Sequence, residues 1–146
     1  MSLQAGRAVK NFFTLLFSGK ISKAEDSLSR LGKRFGNNGY YKALHGIYYA
    51  YVTDDRDSFI FQLWKRYLNG EDKTRLKETF TELLKEAHDP PRDFIQAWIN
   101  LVDMIDTLPV PHKLAKEQAA LESEKEGEAE GGQEVLENGS TPARSA

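Results

Sequence analysis

The chain has 146 residues, 40% of them hydrophobic and 29% charged, which suffices for one domain with a real core. It contains no cysteine, so disulfides, thiolate metal sites and a thiol nucleophile are excluded, and His45, His88 and His112 are too widely spaced to form a helical metal pair. The net charge of −2 conceals a gradient: residues 1–53 carry eight basic and two acidic residues, residues 54–108 eight and twelve, and residues 109–146 four and eight.

Within residues 3–17, Val9, Phe12, Phe13, Leu16 and Phe17 recur at i, i+3, i+4, i+7 and i+8, the stripe of an amphipathic helix that Gly19 is placed to end. Ile21, Ala24, Leu28, Leu31 and Phe35 mark a second helix, with Ser22 as N-cap, Glu25 completing a capping box, and Gly36-Asn37-Asn38-Gly39 as the stop. A third, near 40–53, has Leu44, Ile47, Tyr48 and Tyr51 on one face and Tyr41, Tyr49 and Val52 on others, which predicts packing between neighbours. Asp54, Asp55 and Asp57 are N-cap candidates for a fourth, which holds Ile60, Leu63, Trp64, Tyr67 and Leu68 and closes at Asn69-Gly70.

The fifth helix begins near Asp72, turns Leu76, Phe80, Leu83, Leu84 and Ala87 inward, and ends at His88-Asp89. After Asp89-Pro90-Pro91 comes a sixth, with Phe94, Ile95, Trp98, Ile99, Leu101, Val102 and Ile105, which reads as the most buried. Nothing alternates with period two between hairpin signals. The fold class is therefore all-α: about six antiparallel helices as three helical hairpins, in a bundle or a short stack. Pro109-Val110-Pro111 interrupts the pattern, which gives a helical domain over 3–108. Residues 109–146 read as an acidic, mostly disordered tail with a marginal helix over 113–126.

The hairpins start near residues 5, 41 and 73, close to the spacing of about 34 residues in a tetratricopeptide repeat. The first pair resembles that unit through Leu15, Gly19 at the turn, Ala24, Leu28 and Leu31. The second echoes it through Leu44, Ile47, Tyr48 and Tyr51, but has Asp55 where glycine is usual and Ile60 where a small residue is usual. The third keeps Leu76, Phe80 and Leu83. The resemblance to tetratricopeptide-like hairpins implies a binding scaffold that holds a peptide or protein segment and has no catalytic residues.

No phosphate-binding loop, dinucleotide fingerprint or nucleophile elbow occurs, and no carboxylate pair is marked for acid–base work, so the chain reads as a non-enzyme without metal or cofactor. Residues 12–17 form the longest strongly apolar stretch near the N-terminus, too short for a membrane span or a signal sequence, which predicts no membrane association and a cytoplasmic location. Tyr40, Tyr41, Tyr48, Tyr49 and Tyr51 exceed what one buried stripe needs, so they are candidates for an interface with a protein partner; the alternative is core rings with phenol tips reaching water. Lys20, Lys23, Arg30, Lys33, Arg34 and Lys42, interleaved with aromatics and glycines, are candidates for RNA or DNA contact. Their structural reading is helix C-terminal charge and turn chemistry. A noncatalytic interaction module or adaptor is the primary expectation, and nucleic-acid binding through the basic half is the alternative.

Overall fold

A computed structural model of the chain describes residues 3–88, 90–115 and 117. The expected tail from 118 onward, most of the expected 113–126 helix and Asp89 lie outside the described residues; 112–115 and 117 are helical. The described residues up to Pro111 are all-α: α1 Leu3–Phe17, α2 Ile21–Phe35, α3 Gly39–Val52, α4 Phe59–Leu68, α5 Lys73–His88 and α6 Arg92–Met104, followed by one 3₁₀ turn at Ile105–Thr107. No strand occurs among them, and no helix among them is long and apolar enough to cross a membrane.

The helix ends follow from backbone chemistry. Gly19, at φ 86°, closes α1: its N–H donates to the Leu16 carbonyl and the Lys20 N–H to the Leu15 carbonyl, the paired bonds of a Schellman turn. Gly70 repeats the geometry after α4 at φ 95°. After α3 the same pair of bonds forms around Asp54, whose φ of 60° is the one positive value at a non-glycine among the described residues. Asp54 and Asp55, expected as caps of α4, thus serve the end of α3, and the N-cap of α4 is Ser58. The Ser22–Glu25 capping box does not form either. Helix α2 starts two residues earlier than that box requires, with Lys20 as its N-cap, whose carbonyl accepts the Ala24 N–H.

Helix α6 is not the most deeply buried: Val9, Phe12, Phe13, Leu16 and Phe17 of α1 are all 0% exposed, whereas Phe94, Ile95 and Ile99 of α6 are half-buried. Ala87 of α5, expected inward, is exposed. Helix α3 is central, packing most extensively on α6 and also on α2 and α4. Aromatic contacts bind these layers. Phe17 meets the rings of Tyr51 and Trp64 edge-on at 5.5 and 5.2 Å, and Tyr51 stacks on Phe61 at 5.4 Å, so α1, α3 and α4 share one cluster. A second cluster joins α4, α5 and α6 through Phe59, Phe80 and Trp98.

The α3–α6 seam is also fixed by polar bonds. The Gly39 N–H donates to Asp93 Oδ2 at 3.0 Å, and Asn100 Nδ2 donates to the Tyr40 hydroxyl at 2.8 Å. Lys73 and Lys77 reach from α5 to Asp106 and Asp103 at 3.1 and 2.7 Å. These last two pairs are largely solvated and contribute little to stability.

Candidate functional site

Because α3 is surrounded on three sides, its 100° residue spacing sorts the five tyrosines by environment. Tyr51 and Tyr40 point inward at 0% and 6% exposure and belong to the core; they cannot present rings to a partner, which corrects the expectation for those two. Burial pushes the Tyr40 hydroxyl above the ordinary tyrosine value, with the Asn100 hydrogen bond pulling the other way. Tyr41 and Tyr48 are half-buried on the edge facing α2. Tyr41 lies across Gly32, where a Cβ would come within 2.9 Å of its ring, so the absence of a side chain on α2 makes its seat. The Tyr48 hydroxyl is raised first by burial and then by the Glu25 carboxylate to which it hydrogen-bonds. Glu25 has thus left the expected capping box for α3.

Tyr49 alone stands clear, 62% exposed, beside the exposed Lys42, His45 and Gly46. One step further round the helix are small residues at close helical spacing, Ala43, Gly46 and Ala50. They leave a gap against the start of α4 and the side of α6. The gap is an apolar groove of about 160 Å3, walled also by Ser58, Phe59, Ile60, Leu84, Phe94 and Trp98. Two polar atoms among these liners, Ser58 Oγ and Trp98 Nε1, are buried without a hydrogen-bond partner among the described residues. Orphaned buried donors are rare and costly, on the order of 1–3 kcal/mol each, so each calls for a physical explanation. No family model, curated protein or solved structure matches the chain.

The groove was not singled out from sequence. Its signal was the Ala43, Gly46, Ala50 spacing on an otherwise aromatic helix, but the opposite wall comes from residues up to 55 positions away, which only the fold assembles.

The six basic candidates, Lys20, Lys23, Arg30, Lys33, Arg34 and Lys42, are all exposed, and the fold distributes them over several faces. Arg30 and Arg34, one turn apart on α2, line a groove against α1 with Ala8, Asn11, Ser27 and Leu31. Lys33 lies in a separate open cleft with Ser29, Gly36 and Tyr41. Lys42 sits on α3 and Lys20 in the α1–α2 turn. Among the acidic residues, Asp54 pairs with Arg56 at 2.6 Å and Glu71 with Arg66 at 2.9 Å, while Asp72 accepts the Arg75 N–H as the cap of α5. Among the described residues no group of three or more His, Asp or Glu side chains is placed to hold a metal ion.

Proposed function

We propose that the chain is a noncatalytic helical interaction module that docks a segment of a partner protein on α3, with one bulky apolar side chain of that segment seated in the α3–α4–α6 groove. The observation that carries this reading is the groove itself, in which an apolar wall meets two unpartnered buried donors next to an exposed tyrosine. A cavity of about 150 Å3 accommodates a benzene-sized group, so a volume of about 160 Å3 suits one leucine or phenylalanine side chain. The carbonyl of the same residue would accept from Trp98 Nε1 or Ser58 Oγ, and Tyr49 supplies the rim contact typical of interface hot spots. The resemblance to tetratricopeptide-like hairpins supports the same class of partner.

The test is selection from a random peptide library on the full chain, followed by affinity measurement against two variants. Gly46→Leu places a side chain where the Gly46 Cβ direction is open, and so covers the groove without loss of helix propensity. Selected peptides are expected to share a large apolar residue, to lose at least about tenfold in affinity for Gly46→Leu, and to weaken with Tyr49→Ala. Peptides without such a residue, or with equal affinity for wild type and Gly46→Leu, would overturn the proposal.

A further inference from the structure

Along the seam of α1 and α2 the small residues Ala8 and Ser27 both line a groove of about 230 Å3. Its polar liners are Asn11, Ser27, Arg30 and Arg34, and no carboxylate is among them. Each of the four offers hydrogen-bond donors: an amide, a hydroxyl and two guanidinium forks. Ser27, 4% exposed, is the one buried polar or charged residue among the described residues, and it lines this groove. Arg30 and Arg34 form no ion pair with any described residue, in contrast to Arg56, Arg66, Lys73 and Lys77, which all have carboxylate partners. The site also lies in the basic half of the chain, where residues 1–53 carry a net +6.

We propose that this groove binds a phosphomonoester dianion. Two guanidinium groups one turn apart can each take two oxygens of a tetrahedral oxyanion, and the pair balances a charge of −2. Asn11 and Ser27 supply donors from the opposite wall and floor. A phosphodiester polymer is the poorer fit, because a nucleic-acid backbone needs cations spaced along a strip, and Lys33 and Lys42 lie in another cleft and on another helix. The groove exceeds a phosphate ion in size and admits the first atoms of an ester. The site is separate from the α3 groove and stands or falls independently of it.

The full chain is titrated with inorganic phosphate, with O-phosphoserine and with a single-stranded oligouridylate lacking terminal phosphates, at constant ionic strength set by chloride, while backbone and arginine Nε–H resonances are followed. Saturable shifts are expected at Ala8, Asn11, Ser27, Arg30 and Arg34 with the first two ligands. Affinity for O-phosphoserine should rise between pH 5 and 7, as its second phosphate proton leaves near pH 6. Arg30→Gln and Arg34→Gln should each weaken binding about tenfold or more. Ala8→Leu fills the groove with every cation in place and should do the same, and Ser27→Ala provides a second uncharged variant should Ala8→Leu not fold. Equal affinity for phosphate and O-phosphoserine would assign a free phosphate-type ligand; tighter binding of O-phosphoserine would show that the ester body is read. Non-saturating shifts matching those of chloride, full binding by both Ala8→Leu and Ser27→Ala, or tighter binding of the oligouridylate with shifts spreading to Lys33 and Lys42, would overturn the proposal.

Discussion

Gly39 opens α3 directly against the N-terminal end of α6, and a methyl group there tests that junction. Its N–H, one of the donors a helix start leaves unpaired, donates to Asp93 Oδ2 at 3.0 Å. A Cβ on Gly39 would overlap Asp93 Oδ1 and come within 2.8 Å of Pro91 Cγ, so Gly39→Ala must displace the carboxylate. The lost hydrogen bond to a charged group costs about 1.5–3 kcal/mol. Against it stands a gain of up to about 1 kcal/mol from replacing glycine in a helix, less at the first position. The net is a loss of about 1–2 kcal/mol, a fall in melting temperature of about 5–15 °C for a domain of this size.

Thermal and urea unfolding of the full chain, followed by circular dichroism, reads this directly. Gly6→Ala is the control, because its Cβ would meet nothing within 4 Å and the same substitution should stabilise by about 0.5–1 kcal/mol. The double variant Gly39→Ala/Asp93→Ala should be less destabilised than the sum of the singles, since removing the carboxylate also removes the overlap. If Gly39→Ala stabilises as Gly6→Ala does, the close approach of α3 and α6 is wrong.

Three further outcomes are expected. Asn38→Ala removes a side-chain cap on the Tyr41 N–H, 2.9 Å long, and should cost about 1 kcal/mol in urea unfolding, whereas Ser58→Ala, at an N-cap making no such bond, should cost less than about 0.5 kcal/mol. Tyr51→Ala empties a fully buried ring position and should cost about 3–5 kcal/mol, while Tyr49→Ala should stay within about 0.5 kcal/mol in the same assay; similar losses for the two would contradict the assigned faces of α3. Ultraviolet titration should find Tyr40 and Tyr48 ionising above the ordinary tyrosine range, with Glu25→Gln lowering the Tyr48 midpoint. Because both folded values are raised, the stability they contribute is fully present below about pH 10 and is lost as pH rises from there through the raised values.

The helices were legible because each apolar stripe is local: the residues that define α1 lie within nine positions of one another, and Gly19, Gly36 and Gly70 mark ends that depend on backbone conformation alone. Readings that depended on competition between partners failed. Glu25 had a local use as a capping residue and a distant one beside Tyr48, and the distant one prevailed. Asp54 had the composition of an N-cap and took the left-handed position that ends α3. The tyrosines could be counted from sequence, but α3 is apolar on so many sides that its periodicity did not say which rings face inward. Tyr49 was nameable and its isolation was not. The groove beside it joins three helices and the start of a fourth, and the small residues that create it carry no chemistry of their own.

The most direct test of the docking site uses the two tryptophans as reporters. Trp98 is one of the residues that line the groove, and its Nε1 is buried without a partner among the described residues, whereas Trp64, whose Nε1 is also without a partner, is sealed in the core at 0% exposure. Titrating the full chain with N-acetyl-leucinamide, a minimal apolar side chain with an acceptor carbonyl, should shift the Trp98 indole N–H saturably downfield and leave that of Trp64 in place. The Gly46→Leu variant should abolish the shift. No saturable movement at Trp98, or the same movement in Gly46→Leu, would contradict a groove built to receive an apolar residue.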